Sequence, residues 1–334
     1  MSTEPVDKDK DVTAYPEHDK LGPLGSRASV LGGGGDLRAA ILGEFREGID
    51  KARAAVGEVR TSTADAVHDY RKGLRRARAV LALIDDALPR GERRAIRDVL
   101  RTARRVVSAA RDQVVAPEAL ARLTLDDDAR ATADALVAKA KEAAPPLDEV
   151  ARLLQEGSAR ALAQVDALEA ALPTPIDWDT VAEGLAATYR EARSQLGKSR
   201  RKLGAFHAWR RRTKELTYQL ELVARHAGER TAAVQADFER ISDELGGAVD
   251  LIMLRELIAT HGATLDPEKI AQLAEHVEDA LDDAIRAARK AGKSLFDRGP
   301  RKFARRVEKR ARKDLEPREA EAGNNGTPTN GASA

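Results

Sequence analysis

Cysteine is missing from the 334-residue sequence. Disulfides and thiolate metal sites are therefore excluded, and a reducing cytosol fits. Aromatic residues make up only 3%, while Ala, Leu, Arg and Glu dominate. Such a profile favours packed helices over sheets. No apolar run approaches the ~20 residues that a membrane span requires. The stretch from Met1 to Lys20 lacks the apolar core of a secretory signal. His226, His261 and His276 stand apart, without HExxH spacing, so no metal motif is present. Phosphate-binding loops are excluded too. Gly197-Lys198-Ser199 and Gly292-Lys293-Ser294 would each need a glycine five residues before their own, where Ala192 and Ala287 stand.

What the sequence has in quantity is charge. Asp, Glu, Lys and Arg make up 34% of residues, yet the formal net charge is only +2. The near-balance conceals alternating blocks. Residues 67–115 carry 13 Lys/Arg against 6 Asp/Glu, residues 188–230 carry 12 against 4, and residues 292–313 carry 10 against 2. Between them, residues 116–187 hold 14 acids against 6 bases, and residues 231–291 hold 13 against 6. Blocks of this size predict distinct positive and negative surfaces.

The first basic block opens on one helix. Val67, Tyr70, Leu74, Ala77, Leu81 and Ile84 recur at steps of three and four, which places them on one buried stripe. His68, Arg71, Lys72, Arg75 and Arg78 gather on the adjoining face, with Arg76 at its far edge. A helix that buries one face and lines the next with cations is suited to hold an anion along its side. The design returns 139 positions later. Phe206, Trp209, Thr213, Leu216, Leu220 and Val223 take the stripe, and His207, Arg210, Arg211 and Lys214 take the places of His68, Arg71, Lys72 and Arg75. Internal repetition here duplicates both architecture and chemistry.

A histidine followed by Arg/Lys at the third, fourth and seventh positions, once in each of two repeats, resembles the motif of the conserved histidine α-helical domain, the CHAD domain. The resemblance extends over roughly residues 36–315. It implies an all-α fold of two repeated antiparallel four-helix bundles, pseudo-twofold related around a basic groove, and inorganic polyphosphate as the ligand. The groove is expected to take Arg104 and Arg111 from the third helix, Arg190, and Arg301, Lys302 and Arg305 from the last helix, beside the two motif clusters. The Arg111-Asp112 pair has a counterpart in Val249-Asp250, 138 positions on, which keeps the carboxylate and loses the basic neighbour. The alternating-glutamate signature of CYTH triphosphatases, to which CHAD domains also occur fused, is not found.

Punctuation along the chain divides it. Residues 1–35, with three prolines and Gly32–Gly35, read as a tail and linker. Repeat one is expected over 36–172 and repeat two over 176–315, separated by Pro173 and Pro175. Asp36 and Asp177 or Asp179 are candidate helix caps, and Thr63 or Asp65 the cap of the first motif helix. From Glu316 the chain reads as a polar, disordered tail.

Phosphate chains present charge at short intervals and no base edge. Arg answers with a planar bidentate fork and Lys with a point charge, while His68 and His207 supply further donors. No catalysis, cofactor or metal is expected, and no membrane partner. The partners expected are inorganic polyphosphate and then polyphosphate-metabolising proteins, in the cytoplasm or on polyphosphate granules. Two rival classes have stated signatures. A single-strand nucleic-acid reader would expose aromatic platforms, whereas Tyr70, Phe206 and Trp209 fall on the buried stripes; a helical duplex binder remains. A scaffold would dock proteins through the acidic helices.

Overall fold

Strong helix formers set in three- and four-residue apolar steps leave each helix one face to bury. The computed structural model describes residues 36–107, 120, 123–142, 145–199 and 203–324, with side chains as far as Leu315 apart from that of Leu203. Among the described residues it contains ten α-helices and no strand: α1 (Leu37–Glu58), α2 (Thr63–Leu83), α3 (Arg90–Arg105), α4 (Asp127–Glu142), α5 (Leu147–Ala171), α6 (Trp178–Lys198), α7 (Leu203–Ala227), α8 (Glu229–His261), α9 (Pro267–Leu295) and α10 (Pro300–Asn324). The fold is all-α, as the periodicity predicts.

Helix starts follow side-chain chemistry. Asp36 Oδ1 accepts from the Arg38 amide at 2.8 Å, and Asp177 Oδ1 accepts from the Thr180 amide at 2.8 Å. The α2 cap is Ser62 rather than Thr63 or Asp65. Ser62 Oγ accepts from the Asp65 amide at 3.3 Å, while the Thr63 hydroxyl turns back to the Val59 carbonyl at 3.0 Å. Gly228, at φ +143°, separates α7 from α8 in a conformation that side chains rarely adopt. The last helix continues to Asn324, past Glu316 where the sequence predicts a tail. Arg318 to Ala322 are all good helix formers.

In the first half, α2 and α5 each pack on both α1 and α3. In the second, α6, α7 and α8 pack in succession, and α10 lies against all three. The halves meet where α2 packs on α7 and α6. One continuous core joins them, running from Phe45, Tyr70 and Leu74 to Tyr189, Trp209, Leu216 and Phe238. Burying each such side chain contributes about 1.5–3 kcal/mol. Tyr189 stacks on Phe303 with centroids 4.2 Å apart and donates to the Leu295 carbonyl at 3.2 Å. Burial pushes its hydroxyl up to about 12.

Close backbone approaches position the motif helices. A Cβ on Gly73 would stand 2.4 Å from the Gly48 carbonyl oxygen, so α1 and α2 touch backbone to backbone. One on Gly184 would stand 1.8 Å from the Leu83 oxygen, which brings α6 directly onto the end of α2. Gly292 also has a packing role. It lies inside α9 against Trp209, whose ring atom would be 2.4 Å from an added Cβ.

One helix departs from the expected division into self-contained halves. α4 belongs to the first half by sequence, but it packs on α8 and α9 of the second. Leu136, Ala133, Leu254, Ile258, Leu273 and Val277 form a second buried cluster there.

Candidate functional site

The α2–α7 contact brings the two motif copies together. Gln219 on α7 is buried, and its Nε2 donates to the Ala79 carbonyl of α2 at 3.1 Å, pinning the helices across the junction. Beside this pin lies a cavity of about 490 Å³ lined by Arg75 and Arg78 from α2 and by Arg210, Arg211 and Lys214 from α7. Gly184, Thr188 and Glu191 of α6 form a further wall. Five of the cations expected from the sequence therefore converge, two from one repeat and three from the other.

The motif positions sort by depth. Arg71 and Arg210, equivalent residues of the two copies, are 1% and 4% exposed, and Arg104 on α3 is 5% exposed. Arg210 nevertheless lines the cavity, whereas Arg71 and Arg104 lie outside its lining. His68, Lys72 and His207 are half-buried on their helices and lie outside the cavity lining. Arg76 is half-buried outside the cavity lining and pairs with Glu221 at 2.9 Å. Arg76 and Lys214 each stand 5.3 Å from the centroid of the Tyr218 ring, within cation–π range. Arg190, Arg301, Lys302 and Arg305 are exposed and line no part of the cavity. Arg111 lies outside the described residues.

The cavity also holds residues that the motif does not include. Arg97, Arg212 and Tyr218 line it, with Asp85, Asp86, Glu183 and Glu215 alongside Glu191. Several of these carboxylates are engaged by arginines outside the motif. Asp85 pairs with Arg97 and, at 3.1 Å, with Arg93. Arg212 bridges Glu191 at 2.5 Å and Glu215 at 2.7 Å. Glu215, with Glu191, holds the Arg212 guanidinium above its ordinary pKa despite burial. Arg212 was readable as the third residue of the Arg210–Arg212 run, and Tyr218 as one helical turn beyond Lys214. The acidic wall on α6 had no signal in the motif.

A polar cavity of this kind can hold an anion of several charges between two helices. Five cations donate from two walls, and the buried surroundings strengthen each contact relative to water. Among the described residues no three His, Asp or Glu side chains converge on a metal-binding arrangement, and no helix is long and apolar enough to cross a membrane.

Comparison with known proteins agrees with this architecture. A family model described as the CHAD domain matches residues 44–259. The crystal structure of the CHAD domain from the plant Ricinus communis superposes with a TM-score of 0.58 at 19% identity, covering 76% of this chain and 92% of that one. A search of curated proteins finds no match. With both motif copies inside the matched span, the chain belongs to the CHAD family.

Proposed function

We propose that the protein binds inorganic polyphosphate, without cleaving it, in the cavity between α2 and α7. The observation that carries this reading is the convergence of Arg75 and Arg78 with Arg210, Arg211 and Lys214 on one cavity. A linear chain of phosphates places charge at every unit, so two facing rows of cations engage it better than either row alone. Buried aromatics favour this ligand over single-stranded nucleic acid. Tyr70, Tyr189, Phe206, Trp209, Tyr218 and Phe238 are all under 9% exposed and offer no stacking platform to bases. Such binding would bring the protein to polyphosphate granules.

Charge reversal tests the two walls. Arg75→Glu with Arg78→Glu, and separately Arg211→Glu with Lys214→Glu, should each weaken polyphosphate binding by more than about tenfold, the equivalent of 1.4 kcal/mol. These positions are half-buried, whereas Arg71 and Arg210 are so deep that reversing them would test folding instead. Circular dichroism should stay helical in each variant. Retention of full affinity by either pair, preference for DNA over polyphosphate in competition, or orthophosphate release by pure protein would overturn the reading.

A further inference from the structure

Among the described residues, Tyr218 is the one aromatic side chain that lines the cavity, and its hydroxyl does not explain its presence. The residue is 7% exposed, and the hydroxyl is buried without a hydrogen-bond partner among the described residues. An unsatisfied buried hydroxyl weakens a fold, so packing alone would be met as well by leucine or phenylalanine. What the ring supplies is an electron-rich face. Lys214 Nζ and Arg76 Cζ each stand 5.3 Å from its centroid, inside the roughly 6 Å range of cation–π attraction. Arg76 comes from α2 and Lys214 from α7, so one ring holds a cation from each motif copy. Gln219, the next residue, makes the hydrogen bond to Ala79 of α2.

The two cations have different surroundings. Arg76 pairs with Glu221 at 2.9 Å, and Glu221 pairs in turn with Arg225 at 3.1 Å. An ion network outside the cavity lining therefore fixes Arg76. Lys214 belongs to the lining. It is a compact charge on a flexible four-carbon stem, and its field reaches Glu239 of α8, which lies outside the lining. Burial raises the Glu239 carboxyl, and Lys214 works against that shift. An ammonium in range of such a carboxylate needs a contact that favours the cavity wall. A second carboxylate could hold it there, but would set a negative charge against the ligand, as Glu191 and Glu215 do where they hold Arg212. A tyrosine ring attracts the cation through its quadrupole and carries no net charge.

We propose that Tyr218 is a positioning residue of the anion site, whose ring holds the Lys214 ammonium at the cavity wall in reach of the ligand. The inference rests on the proposed function and adds to it a residue outside the histidine–arginine motif. Tyr218 acts through Lys214 and not by its own hydroxyl, which is buried. With the ammonium placed in advance, less side-chain freedom is lost when the anion binds.

The test uses the full chain, with long-chain polyphosphate as the probe at a series of salt concentrations. Tyr218→Leu keeps an apolar side chain and removes the ring, and should weaken binding about three- to tenfold. Tyr218→Met, a second ring-free variant that adapts to irregular packing, should behave alike. Tyr218→Phe, which brings back a ring without the hydroxyl, should recover the loss. The salt response separates placement from packing. The slope of log affinity against log salt should become shallower by about 0.7 in Tyr218→Leu, as in Lys214→Gln, the value of one phosphate contact on a flexible strand. The two changes should not add: in the Lys214→Gln background, Tyr218→Leu should lower affinity no further. Unchanged binding in Tyr218→Leu and Tyr218→Met overturns the positioning role while the cavity reading stands. Equal loss in Tyr218→Phe and Tyr218→Leu makes the hydroxyl the contact and also overturns it. Additive losses with an unchanged salt slope leave Tyr218 a packing role alone, which overturns it too. Failure of the unaltered protein to bind polyphosphate removes the proposed function and the positioning role together.

Discussion

At the scale of single residues, glycines in the same helix pair have opposite worth. Gly73 is fixed by backbone: its Cβ would stand 2.4 Å from the Gly48 oxygen and 2.7 Å from the Ala52 nitrogen, neither of which can swing aside. Gly73→Ala should therefore destabilise the protein by about 1–3 kcal/mol through overpacking. Gly43, on α1, has nothing within 4 Å of its Cβ position. Gly43→Ala should stabilise by about 0.5–1 kcal/mol, since alanine loses less backbone entropy in a helix. Denaturant midpoints at constant slope check both, and a common sign for the two would refute the packing account. The motif helices show the same division between what a sequence reveals and what it hides. Periodicity placed Arg71 and Arg75 on one cationic face, yet Arg71 is 1% exposed and Arg75 lines the cavity. Depth along a face depends on the neighbouring helices, and a sequence does not name them.

Individual helices were largely legible because their signals are local. Apolar stripes, proline breaks and the Asp36 and Asp177 caps need only residues within one turn of each other. The Ser62 cap was missed by one position because Ser62 and Thr63 offer the same hydroxyl, and only backbone geometry separates them. Contacts between distant helices were not legible. Arg225 on α7 reaches back to α1, pairing with Glu44 at 2.8 Å and Glu47 at 2.9 Å, and His226 meets Glu44 at 3.1 Å. Burial works against the Glu47 charge, but Arg225, helped by Lys51 and Arg76, overrides it and holds the carboxyl below its ordinary 4.5. A depressed carboxyl stabilises fully above its unfolded value and loses that contribution as pH falls through the folded value. Glu47→Gln should thus lower the melting temperature at neutral pH, by an amount equivalent to about 1 kcal/mol or less. The two melting curves should converge as pH drops below 4.5. Parallel curves across the acid limb would show that this tie between α1 and α7 contributes nothing.

At the scale of the whole molecule, the two halves are interlocked by one crossover that local patterns cannot announce. The stripe of Ala133, Leu136 and Val137 on α4 is buried. It says nothing of the partner, which proves to be the α8–α9 pair of the other half. One helix of the first half thereby shares a lobe with two of the second, while the basic motif helices meet at the α2–α7 junction. The lobe has its own core, and among the described residues Leu123 is the one packed at the margin of both clusters. Separate cores imply separable stability. Leu136 is 0% exposed in the lobe cluster, so Leu136→Ala should open a cavity costing about 2–5 kcal/mol. Hydrogen exchange should then accelerate in α4 and in the ends of α8 and α9 that cover it. Trp209 is 0% exposed in the main core, and Phe206 sits beside it with centroids 5.7 Å apart. Its fluorescence should stay as in the unaltered protein, and so should affinity for polyphosphate. Loss of binding in step with the lobe would mean that the lobe holds the α2–α7 junction in place, and the two cores would then be one cooperative unit.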